Sequence, residues 1–329
     1  MRYIPDEGRI VWSASDLKAA AECEFAWLRA IDARLGRVAP VDDPEDATLE
    51  RAGRLGDAHE QRVLADYRRR FGDAVREIPH ASSADAEALA AAIAATDAAL
   101  ADPDAVVVYQ AAFATPEFVG FADFLLRDPD APDGRGAWIV QDSKLARHAR
   151  VTALMQLAAY ADQLDRLGVA RTDAVELLLG DGSLSRHSVD TLLPTFQLRR
   201  ERLRALIADR RVDLGAAGAP IAWGDERGDL QVVACGRCAT CDLEVVASRD
   251  LLLVAGMRPV QRQRLRDAGI VTIDDLAGAS VPPPRMSSDT FAMLRTQARL
   301  QLESPAGVPD PAPVASEQAS AAPADSAKT

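Results

Sequence analysis

The chain has 329 residues, is 48% hydrophobic and carries a formal net charge of −12. That length buries a sizeable core, as one large domain or two modest ones. The acidic balance excludes a uniformly basic nucleic-acid coat and leaves room only for local positive sites. The first residues are charged throughout and lack the apolar stretch of a signal peptide. No run has the length of a membrane span, so a cytoplasmic protein without a membrane partner is expected. In that setting disulfides are disfavoured, and clustered cysteines need another explanation.

In chain order, residues 15–36 read as one amphipathic helix, with Ser15 or Asp16 as its cap and Cys23 within it. A loop is expected over 38–48, then a helix over 49–71 that puts His59, Val63 and Asp66 or Tyr67 near one face. Residues 84–101 form an alanine-rich helix. The pattern then changes to three short strands, 105–114, 117–127 and 136–144, separated by tight or polar connections that include "DPDAPDGRG". A helix at 150–167, two strands around "DGS" and a helix at 193–211 follow. This order predicts an α/β fold whose mixed central sheet is flanked by helices. Residues 251–278 read as a helical hairpin with two glycine turns, and 286–303 as a last helix. The Ala/Pro/Ser-rich end is expected to be disordered. The domains expected are 1–248, 249–303 and a tail, 304–329.

The third strand candidate ends in "QDSK". Residues two apart share a strand face, so Asp142 and Lys144 converge on one side. Asp123 lies in the preceding strand candidate, directly after "GFA", and a hairpin would bring the two aspartates together. Two carboxylates suit Mg²⁺ or Mn²⁺, which polarise a phosphodiester and activate water. A lysine beside them orients that water or stabilises charge at phosphorus. His59 would add a neutral nitrogen ligand. An isolated D-x-K is usually a solvated strand face; the ordered set is far more specific.

The order His59, Asp123, Asp142, Lys144, continued by Gln156 and Tyr160 of "QLAAY", resembles the RecB-type nucleases of the PD-(D/E)xK superfamily. The resemblance implies a restriction-endonuclease-like core. It implies His59, Asp123, Asp142 and the Ser143 carbonyl as metal ligands, Lys144 as the catalytic lysine, and Gln156 and Tyr160 as positioning residues. The implied activity is Mg²⁺- or Mn²⁺-dependent cleavage of DNA, on single strands or duplex ends, in repair or recombination. The second reading is a non-catalytic or partner-dependent DNA-binding subunit working with a helicase. RNA fits the same chemistry.

Cys235, Cys238 and Cys241 lie in "CGRCATC", and Cys23 stands far upstream. C-x2-C-x2-C plus a remote cysteine supplies four thiolates to a [4Fe–4S] cluster. A tetrahedral Zn²⁺ is the competing assignment. Some RecB-type nucleases join an early cysteine to a C-terminal triplet, which implies a structural cluster here.

The segments "LLLVAGM" and "DAGIVTIDDLA" resemble the turns of a helix-hairpin-helix unit. Between 249 and 266 five arginines face one aspartate, and Arg258, Arg262, Arg264 and Arg266 are the expected DNA contacts. A protein-docking module with solvent-facing arginines is the alternative.

Overall fold

A computed structural model describes residues 1–41, 47–82, 85–128 and 136–304. Part of the expected 38–48 loop, most of "DPDAPDGRG" and nearly all of the Ala/Pro/Ser tail lie outside the described residues. The chain divides into two compact units, Met1–Cys235 and Gly236–Thr329.

The first unit opens with an antiparallel hairpin, β1 (Arg2–Ile4) and β2 (Arg9–Val11). The single helix expected over 15–36 is two helices, α1 (Ala14–Glu22) and α2 (Glu24–Arg34). Cys23 separates them with an extended backbone (φ −162°, ψ 105°), and its Sγ caps α2 by accepting from the Ala26 amide at 3.4 Å. Neither proline nor glycine marks this break. Next come α3 (Ala47–Phe71), β3 (Val75–Glu77) and α4 (Ala86–Ala101). Then follow β4 (Val107–Ala114), β5 (Val119–Asp128), β6 (Ala137–Lys144) and α5 (Val151–Arg166). The unit continues with β7 (Arg171–Leu179), β8 (Leu184–Ser188) and α6 (Val189–Asp209).

Among the described residues the main sheet is open, with strand order β3-β4-β5-β6-β7-β8. The β3/β4 and β6/β7 pairs are parallel and the others antiparallel, so the sheet is mixed. The long crossover a parallel pair requires is supplied between β6 and β7 by α5. All of β6 is buried except its last residue, Lys144, which is why "AWIV" is continuously apolar rather than alternating.

Helices cover both faces. From α3, Val63, Leu64 and Tyr67 pack on Val107 and Phe124. From α5, Leu157, Ala158, Ala161 and Leu164 are fully buried. One buried ion group ties α2 to the end of α6: Arg210 holds Asp32 at 2.8 Å, and Asp32 also accepts from Arg37.

The second unit is helical, with α7 (Ala239–Ala247), α8 (Pro259–Asp267), α9 (Ile273–Gly278) and α10 (Ser288–Glu303). Leu251, Leu265, Ile273, Leu276, Phe291 and Leu294 form its own core. The two expected glycine turns are present, with Gly256 and Gly269 at φ +80° and +81°. The architecture is therefore a mixed sheet flanked by helices, with a small helical C-terminal part.

Candidate active site and cysteine cluster

The antiparallel register of β5 and β6 pairs Phe124 with Gln141. Extended by one residue, it sets Asp123 opposite Asp142. The β4/β5 register sets Gln110 opposite Asp123 in the same way, between the Tyr109/Phe124 and Ala111/Ala122 pairs. Gln110, Asp123 and Asp142 thus form one row across three strands. Gln110 has φ +57°, a left-handed conformation that costs a non-glycine residue roughly 1–2 kcal/mol. Its amide donates to Glu60 of α3 at 2.7 Å, and Glu60 also accepts from the Tyr109 hydroxyl at 2.8 Å.

Asp142 is buried and Lys144 half-buried, with Nζ 2.7 Å from the Asp142 carboxylate. Burial pushes the Asp123 carboxyl well above its ordinary range, and the Asp142 carboxylate beside it pushes it further; Lys144 opposes the rise and Glu60 adds to it. Burial pulls the Lys144 ammonium down, yet Asp142, Asp123 and Glu60 outweigh it and hold the group above its usual value. The row is a crowded negative site with one cation inside it.

Tyr160 of α5 is buried beside this row. Burial pushes its phenol up, as does the negative charge of Asp123 and Asp142, while hydrogen bonds with Gln156 and the Phe121 backbone oppose the rise. Gln156 is half-buried, one turn earlier on the same helix. Gly120 permits this approach, since a Cβ there would lie 2.8 Å from the Tyr160 ring and 2.8 Å from Phe118. The structure therefore gathers Asp123, Asp142, Lys144, Gln156 and Tyr160.

His59 is placed differently. It sits on α3, buried, with Nε2 lacking a hydrogen-bond partner, in a hollow shared with Tyr67 and Gln141. Neighbouring strand residues point to opposite faces, so Gln141 and Asp142 project to opposite sides of the sheet. Ser143 is buried on the Gln141 side, its Oγ also unpartnered. Among the described residues no third His, Cys, Asp or Glu closes on Asp123 and Asp142 at metal-ligand spacing.

The sequence reading missed two features. Glu60 acts electrostatically on both Asp123 and Lys144; its only signal was adjacency to His59. On the other face runs a buried chain in which the Tyr67 hydroxyl donates to Gln141 at 2.5 Å and Gln141 donates to Glu176 at 2.9 Å. Burial lifts the Tyr67 phenol to about 12.

The sulfurs of the four cysteines all lie within 4.8 Å of one another. Cys23 and Cys241 are buried, Cys235 and Cys238 half-buried. The Cys235 amide points at the Cys23 sulfur at 3.4 Å. Gly236 turns the chain at φ +71°, and a Cβ there would meet Leu252 at 2.8 Å. Together these four side chains can coordinate a metal ion.

The C-terminal arginines are largely engaged within their own unit. Asp250, 1% exposed, binds Arg262 at 2.5 Å and Arg266 at 3.6 Å. Arg264 donates to the Arg285 carbonyl at 2.5 Å. Arg258 is the N-cap of α8, its amide donating to Gln261 at 2.9 Å.

No protein-family model matches the chain, and no curated protein matches it. No described helix is long and apolar enough to cross a membrane.

Proposed function

We propose that the chain is a divalent-metal-dependent phosphodiester hydrolase acting on DNA, with a restriction-endonuclease-like core and Asp123, Asp142 and Lys144 at its centre. The observation that carries this reading is the opposed aspartate pair with Lys144 2.7 Å from Asp142. Two acidic groups side by side, Asp142 buried and Asp123 half-buried, have no stabilising role of their own, and hard carboxylate oxygens are the ligands Mg²⁺ and Mn²⁺ prefer. An ion held there would supply Lewis-acid polarisation of the phosphodiester. Lys144 stays protonated beside the carboxylates and presents positive charge where the phosphate gains negative charge. Tyr160 and Gln156 fix the inner wall of the site, and Lys144 is kept in place by Asp142.

Cleavage of end-labelled single- and double-stranded DNA in Mn²⁺ tests this. Asp142→Ala and Lys144→Ala are each expected to lower the rate by at least about 100-fold while staying folded. Unchanged turnover in either folded variant removes its assigned role. Faster cleavage of RNA than of DNA would reassign the substrate.

A second reading, a non-catalytic or partner-dependent DNA-binding subunit of a helicase–nuclease assembly, is favoured by one observation. His59 does not join the two aspartates as a third ligand among the described residues. DNA binding with no cleavage in Mg²⁺ or Mn²⁺ would select it.

For the cysteines, thiolates around one Zn²⁺ lie roughly 3.8 Å apart, from Zn–S bonds of about 2.3 Å in a tetrahedron. The four thiols, within 4.8 Å of one another, are compatible with that ion and with an iron–sulfur group alike. The motif resemblance supports [4Fe–4S]. Metal analysis with visible absorption of anaerobically purified protein separates them: colour with bound iron selects the cluster, and colourless protein with bound zinc selects the ion.

A further inference from the structure

Beside Lys144 a cleft of about 790 Å³ opens between α1 and the start of α5. Lys18, Lys144, His148 and Arg150 line it, with Glu22 as the opposing charge. Lys18 is exposed and lies 3.9 Å from Glu22, too long for a firm pair. Arg150 and His148 are exposed and have no carboxylate within 4.0 Å among the described residues. Arg150 is also the N-cap of α5, which carries no side-chain cap and no acidic residue in its first turn. Arg150 thus carries positive charge that no described carboxylate neutralises, unlike Arg262 and Arg266 on Asp250, while Lys144 is held by Asp142 and Lys18 only loosely by Glu22.

The same cleft has apolar walls. Leu145 is 39% and Val151 58% exposed, although both are large hydrophobic residues. The loop carrying Leu145, His148 and Arg150 is held in place: the Gly180 amide donates to the Ala146 carbonyl at 3.3 Å. A Cβ on Gly180 would lie 2.4 Å from the Leu145 carbonyl oxygen. Cations and apolar faces alternating along a fixed cleft match a ligand that alternates phosphates with flat apolar bases. A volume in the small-ligand range, about 300–1,000 Å³, suits a short unpaired strand.

We infer that this cleft binds a single-stranded segment of nucleic acid leading to the Asp123–Asp142 row, with Lys18 and Arg150 on its phosphates and Leu145 and Val151 against a base. The inference rests on the hydrolase reading of that row, and it names residues outside the catalytic set. Lys18 and Arg150 are positioning residues that hold the strand while Lys144 meets the phosphate to be cleaved.

The test is fluorescence anisotropy of a labelled single-stranded oligothymidylate on the full chain, without added divalent ion, over a salt series. The Lys18→Gln/Arg150→Gln double variant is expected to bind about tenfold more weakly, its log–log salt slope shallower by roughly 0.7 for each lost phosphate contact. Val151→Ser is expected to weaken binding a few-fold with the slope unchanged. Arg211→Gln, which removes an exposed cation elsewhere, is expected to bind like the parent. A double variant that keeps parental affinity and slope, or an equal loss in Arg211→Gln, overturns the proposal. So does a blunt duplex that binds as tightly as the single strand and loses as much in the double variant. An oligouridylate that responds equally supports a cleft recognising phosphate and base without the sugar. Binding is read apart from cleavage, so a double variant that loses binding in a protein that never cleaves removes the hydrolase and keeps the cleft. Cleavage with parental binding in the double variant does the reverse.

Discussion

Gln110, Asp123 and Asp142 each accept an unfavourable local state: a left-handed backbone in a strand, a carboxyl pushed up by burial, and a carboxylate facing another. Strain and like charge gathered in one row are characteristic of sites built for a ligand rather than for stability. Tyr160 closes the row from α5 only because residue 120 has no side chain. Gly120→Ala would force a methyl against both Tyr160 and Phe118. Overpacking of this kind costs about 1–3 kcal/mol, so a lower Tm is expected, together with weakened cleavage as Tyr160 shifts. A Gly120→Ala protein with parental Tm would mean that the aromatic pair moves aside freely.

At the scale of elements, the strands that carry the aspartates were legible because short apolar runs are delimited by tight or polar turns. The convergence of Asp142 and Lys144 followed from strand parity alone, and the facing of Asp123 and Asp142 from the expected hairpin. His59 lies on the helix the sequence also gives, while its neighbours Tyr67 and Gln141 are set by packing that no local pattern encodes. The break at Cys23 was invisible for a similar reason, since a cysteine that ends one helix and caps the next carries no turn signature. The three-residue β3 is too short to show periodicity. In the C-terminal unit the sequence displayed an arginine cluster but not its anchor. Asp250→Asn is expected to destabilise that unit by about 3 kcal/mol, because Arg262 and Arg266 lose the buried charge they hold. Its unfolding transition, followed by hydrogen exchange at Leu265 and Leu276, checks this; unchanged protection would show the arginines to be hydrated instead.

For the molecule as a whole, the acidic surface makes stability depend on pH in a defined sense. Arg204 beside Glu117 holds that carboxyl below its usual range, against a smaller opposing effect of burial. Arg249 does the same for Asp274. A group depressed in the folded state stabilises fully above its unfolded value, about 3.9–4.3 for carboxyls, and loses that contribution as pH falls through the lower folded value. On these pairs the Tm is expected to fall on acidification below about pH 4, while the raised Asp123 carboxyl acts in the opposite sense, favouring the fold as pH drops from its folded value to its unfolded one. Arg204→Gln should make the acid limb shallower, and an acid limb identical to the parent would place the titrating groups elsewhere.

Cys23 and Cys235 are 212 positions apart in the chain, yet the amide of one meets the sulfur of the other. A ribosome making this protein releases Cys23 long before its partners exist, and the loop between them contains the whole main sheet. The aspartate row can thus be in place while the thiol set is still incomplete. Any metal these thiols hold would be captured late in the life of each molecule, and a chain without it would have a finished sheet and its longest loop still open.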